Sequence, residues 1–140
     1  MTDLNPYLTF KDNAREAMTF YADALGGELV INTFGEYGQA DTPIADNVMH
    51  ARVTTPGGLI LMASDTPPGM ERGELGGFAI SLSGDDEAEL RGYWDKLSDG
   101  ASVEVPLELQ MWGDHFGQLT DKFGVTWMVN IAGGKAPAEG

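Results

Sequence analysis

Apolar and polar residues alternate from Leu4 to Phe10, and the spacing then lengthens. Alternation predicts a strand, and Pro6 within it predicts an edge position, because proline gives a sheet ladder no N–H. From Asn13 the apolar residues Ala14, Ala17, Met18, Tyr21, Ala24 and Leu25 fall on one face of a helix, which Gly26-Gly27 stops. Asn13-x-x-Glu16 has the form of a capping box, in which Asn13 accepts from an early helical N–H and Glu16 reaches back. Glu28 to Phe34 reads as a strand, and Gly35 to Asn47 as a long polar loop that is either mobile or functional. Val48 to Thr55 and Leu59 to Ala63 read as a hairpin around Pro56-Gly57-Gly58.

The same order then recurs. Asp65 to Gly76 reads as a linker, with Pro67-Pro68-Gly69 inside it. Phe78 to Leu82 predicts a strand, Asp86 to Leu97 a helix, and Val103 to Leu109, His115 to Thr120 and Val125 to Ile131 three more strands. Asn13 and Asp86 stand 73 residues apart, and at that offset Glu16, Ala17, Phe20, Tyr21 and Ala24 map onto Glu89, Leu90, Tyr93, Trp94 and Leu97. The closing strands match at an offset of 66, with Leu59, Ile60, Met62 and Ser64 on Val125, Thr126, Met128 and Asn130. The predicted architecture is therefore α+β, two βαβββ repeats (about 1–65 and 76–132) in one domain, 1–132. Joined, they would make one cupped mixed sheet with helices outside, and residues 133–140 would form a disordered tail. A duplicated unit directs attention to the seam between its copies.

Composition narrows the function. A net charge of −14, from 22 acidic against 8 basic residues, argues against nucleic acid and anionic membrane surfaces as partners. With no cysteine, thiolate catalysis, thiolate metal sites and disulfides are excluded. The N-terminal residues have no signal-peptide pattern and no apolar run reaches membrane-spanning length, so a cytoplasmic location is expected. No serine sits in a Gly-x-Ser-x-Gly elbow, and no glycine-rich loop suits a phosphate or S-adenosylmethionine.

Several segments resemble the vicinal-oxygen-chelate superfamily of glyoxalases, extradiol dioxygenases and bleomycin resistance proteins, and within it the PhnB-like, 3-demethylubiquinone methyltransferase-like group. They are Leu4-Asn-Pro-Tyr-Leu-Thr-Phe10, Phe20-Tyr21 with Gly26-Gly27-Glu28, Met49-His-Ala-Arg52, Leu61-Met-Ala-Ser-Asp65, Trp112-Gly113 and Phe116 through Asn130. The resemblance spans nearly the whole chain and implies a homodimer binding a small molecule. Metal-using members carry two ligands per copy, on the first and fourth strands. Carried over, those positions are Pro6 (Asn5 or Tyr7 if the register slips), Met62, Phe78 and Met128, none of them a ligand for a borderline or hard divalent cation. No metal and no cofactor are therefore expected.

The family register turns Thr126, Met128 and Asn130 toward the cavity and leaves Trp127 to pack on a helix. Pro6, Leu8 and Phe10, with Ile60 and Met62, would complete an apolar wall, and Phe78 would be their counterpart in the second copy. Arg52, in a central strand, either pairs with a carboxylate or holds an anionic ligand. Trp112 reads either as a gate at the cavity mouth or as a turn residue at a dimer interface. His50 and His115 are the candidate acid–base residues, against the alternative that each is a hydrogen-bonded sheet residue. The favoured function is binding of an apolar or aromatic molecule in a metal-free cavity. The rival is a metal-dependent lyase, isomerase or dioxygenase with a non-standard ligand set drawn from His50, Glu28, Glu36 and His115. A third reading is a scaffold protein with a vestigial pocket. Methyltransferase activity is not expected.

Overall fold

The computed structural model describes residues 2–38, 40–66 and 77–133. The chain divides into two compact units, Met1–Gly73 and Glu74–Gly140. Most of the expected linker, at 67–76, and the expected tail beyond Gly133 lie outside the described residues.

In the first unit, β1 (Tyr7–Phe10) leads into α1 (Ala14–Leu25), followed by β2 (Glu28–Thr33), β3 (Val48–Thr54) and β4 (Ile60–Asp65). The sheet order is β1-β4-β3-β2, with β1 parallel to β4 and the other neighbours antiparallel. β1 is an edge strand as Pro6 predicts, but it begins at Tyr7 rather than Leu4. Pro6 still accepts a hydrogen bond from Met62 N–H through its carbonyl, whereas Leu4 is 99% exposed. Gly26 ends α1 in the left-handed conformation at φ 71°, and its N–H returns to the Ala22 carbonyl.

The start of α1 differs from the predicted capping box. Asn13 makes no side-chain cap; instead Asp65, at the end of β4, accepts from Ala14 N–H at 2.9 Å. The other carboxylate oxygen of Asp65 accepts from Val48 N–H at 2.8 Å, where β3 begins. One side chain, 2% exposed, thus fastens the helix and two strands together. The 35–47 loop is stitched at its base. Phe34 and Gly35 N–H donate to the Asn47 and Ala45 carbonyls, and a short 3₁₀ turn covers Gly35–Tyr37.

In the second unit, β5 (Ile80–Gly84), α2 (Glu87–Leu97), β6 (Ser102–Leu109), β7 (His115–Thr120) and β8 (Thr126–Ile131) repeat the order, with the sheet running β5-β8-β7-β6. α2 is capped locally, by Asp86 accepting from Glu89 N–H at 3.0 Å. The strand expected from Phe78 begins two residues later, at Ile80, and Phe78 is 49% exposed. The fold is α+β, two βαβββ modules, each a four-stranded mixed sheet with a helix on one face.

Each helix covers one sheet face. In the first sheet Leu8, Phe10, Leu61, Ala63, Ala51 and Val53 are buried on the Asp65 side, where α1 lies. In the second, Gly117 sits beneath α2; a β-carbon there would lie 2.7 Å from the Trp94 ring and 2.9 Å from the backbone of Leu107. Trp127, Val129 and Leu119 are buried on that same side. The opposite face of each sheet carries the candidate chemistry.

Candidate functional site

On the first sheet's open face, strand register sets one row of Tyr7, Met62, Arg52 and Val30. Residues paired across strands share a face, so Met62 stands mid-row between a phenol and a guanidinium. The next row brings His50 opposite Asn32. The hydroxyl of Tyr7 lies 3.2 Å from His50 Nδ1, with ring centroids 5.7 Å apart. That contact orients the imidazole and leaves Nε2 with no hydrogen bond to any described residue.

On the second sheet's open face the matching row is Ser81, Met128, Gln118 and Val105. Beside it lie Ser83, Asn130 and Phe116. Trp112, in the turn between β6 and β7, is 48% exposed with its ring 6.1 Å from Phe116. Thr126 shares this face and meets Thr120 hydroxyl to hydroxyl at 3.2 Å. The Asn130 amide donates to Asp114 at 3.0 Å. This bond, then one from Gly133 N–H, holds the Asp114 carboxyl below its ordinary range.

Register corrects several sequence-based placements. Leu8 and Phe10 belong to the buried, helix-side face, 3% and 1% exposed, and do not stand with Met62 and Ile60. The first-strand residue opposite Met62 is Tyr7 rather than Pro6, and the one opposite Met128 is Ser81 rather than Phe78. His115 pairs with Ile131 on the α2 side of its sheet. There it contributes, after Arg91, to holding the Glu87 carboxyl below its usual range. It is therefore not on the face that carries Met128 and Asn130, and His50 is the histidine that an open face presents.

The residues at the carried-over positions do not fit a divalent metal. In the first unit Met62 stands beside the Tyr7 phenol and in the second Met128 beside the Ser81 hydroxyl, and neither pair supplies donors suited to Zn²⁺, Ni²⁺, Mn²⁺ or Fe²⁺. Among the described residues no three or more His, Cys, Asp or Glu side chains group to hold a metal.

A depression of about 460 Å³ beside the start of α1, lined in part by Asp12, Arg15, Glu16, Asp46 and Asp65, has no counterpart in the sequence reading. Both oxygens of Asp65 are already hydrogen-bonded, and Asp12 accepts from the Asn47 amide at 2.8 Å. On α2, Tyr93 donates to Glu89 at 3.0 Å; burial first, then Glu89, pushes its phenol up to about 12 from an ordinary 10.0. A raised folded-state value stabilises the fold below the unfolded pKa of 10.0, and the gain is lost as pH climbs toward 12. Glu89→Gln should bring the Tyr93 transition back toward 10.0, read from phenolate absorbance against a Tyr93→Phe blank. An unmoved transition would mean that Glu89 does not act on the phenol.

The glyoxalase/bleomycin resistance protein/dioxygenase superfamily model matches residues 3–129. The chain belongs to that superfamily. Protein YjdN of Escherichia coli is 31% identical to this chain, over 91% of this chain and 94% of its own. Protein PA1353 of Pseudomonas aeruginosa superposes with a TM-score of 0.83 at 38% identity, covering 94% of this chain and 98% of that one. A PhnB protein of Bacillus cereus, carrying a 3-demethylubiquinone-9 3-methyltransferase label, reaches 0.74 at 26% identity over 94% of this chain and all of its own. No helix among the described residues is long and apolar enough to cross a membrane.

Proposed function

We propose that this superfamily member binds a small apolar or aromatic molecule against its open sheet faces, with no metal between protein and ligand. The supporting observation is the equivalent placement of Met62 and Met128, each central in a row where neither neighbour supplies a metal-binding imidazole or carboxylate. Methionine side chains adapt to flat or irregular apolar surfaces and make favourable contacts with aromatic rings. Ile60 and Val30 on the first face, and Phe116 and Trp112 beside the second, add further apolar area. The sheet topology argues against the methyl transfer named in the PhnB relative's label, since neither unit is a doubly wound nucleotide-binding sheet. Action as a cytoplasmic homodimer is part of the same reading.

An aromatic ligand present at a hundred times its Kd should add about 2.7 kcal/mol of stability. The thermal shift should survive EDTA and shrink in Met62→Asp. A shift that appears only with Zn²⁺, Ni²⁺, Mn²⁺ or Fe²⁺ would overturn the proposal in favour of a metal-dependent enzyme. Bulky substitutions at Met62 and Met128 that leave binding intact would point to a vestigial pocket. Native mass spectrometry of the same samples reads the dimer and any metal directly.

A further inference from the structure

Arg52 stands apart from the other charges of the first unit. It lies on β3, an interior strand, between Met62 on one side and Val30, itself 58% exposed, on the other. In a chain with 22 acidic residues, its guanidinium makes no hydrogen bond or ion pair with any described residue. Glu28 shares its face two positions along β2 from Val30, and the two do not pair. An arginine whose only task is to cover apolar surface with its stem has no need to keep carboxylates away. On the same face, the Asn32 amide and the Tyr7–His50 couple add polar groups that can donate hydrogen bonds.

We infer that the open face of the first sheet recognises an aromatic or apolar carboxylate, with Arg52 binding the anion and Met62 and Val30 supporting the hydrocarbon. The inference rests on the binding role proposed above and adds the ligand's charge. A guanidinium presents paired N–H groups that match the two oxygens of a carboxylate, and flanking apolar side chains strengthen the pair by displacing water. The scarcity of basic residues elsewhere makes this cation a local exception in a field that otherwise repels anions.

The experiment compares 2-naphthoate with 2-naphthamide, equal in shape and different in charge, by isothermal titration of the full chain. The carboxylate should bind about tenfold to a hundredfold more tightly, the range of a charge-assisted hydrogen bond. Arg52→Gln should erase that preference by weakening the carboxylate far more than the amide, and its melting temperature should match the parent because Arg52 is exposed. Equal affinities for both compounds in the parent, or an undiminished preference in Arg52→Gln, would overturn the anion inference and leave the apolar site standing. Failure of both compounds to bind would count against the binding role itself, and against this inference with it.

Discussion

Asp65→Ala is expected to destabilise the protein by about 2–6 kcal/mol, the sum for two buried N–H donors left without an acceptor at about 1–3 kcal/mol each. Ala14 N–H and Val48 N–H both lie in the interior, bonded to a side chain that is 2% exposed. The loss is a large fraction of the roughly 5–15 kcal/mol that holds a domain of this size together. Asp65→Asn should recover only part of it, because the amide keeps one acceptor and turns its own N–H toward the second donor. Urea unfolding followed by circular dichroism measures the cost. A loss under about 1 kcal/mol for the alanine variant would show that the two N–H groups find other acceptors.

Asp121→Ala should bring a comparable loss in the second unit. This carboxylate, 4% exposed, accepts from Phe123 N–H at 2.8 Å, from Val125 N–H at 3.0 Å and from the Trp127 indole at 2.8 Å. It therefore shapes the turn into β8 and fixes the largest fully buried side chain of the structure. The loss should be about 2–6 kcal/mol, from the two buried donors, Val125 N–H and the Trp127 indole, at about 1–3 kcal/mol each. A double-mutant cycle with Trp127→Phe isolates the indole bond. Phenylalanine has no N–H to strand, so the pair should show a coupling of about 1–2 kcal/mol. Strict additivity would mean that the carboxylate serves the turn alone.

Local pattern carried much of the fold. The helical spacing of Ala17, Tyr21 and Ala24, and of Leu90 and Leu97, marks α1 and α2. Alternation in Thr126–Ile131 separates buried Trp127 and Val129 from Met128 and Asn130. The 66-residue offset survives intact between β4 and β8. What pattern alone could not supply is register between strands distant in sequence. Leu8 and Phe10 alternate with Tyr7 and Thr9 whichever side faces the helix, and only the pairing of Tyr7 with Met62 decides. The cap of α1 escaped for a similar reason: Asn13 is adjacent and visible, whereas Asp65 lies 51 residues beyond Ala14. The two histidines were separable in principle. At the offset of the closing strands His50 falls on Phe116 and Arg52 on Gln118, so His115 was never the counterpart of His50.

The unlike caps of the two helices also bear on how the chain acquires its shape during translation. The anchor of α2 lies three residues from the amide it serves, so the first turn can close as soon as that stretch emerges. α1 is synthesised earlier, yet its anchor emerges only after a further 51 residues, when the hairpin that carries it has been made. The half of the protein that leaves the ribosome first thus has to wait for its own last strand before its helix is held, while the later half can set its helix in order of synthesis.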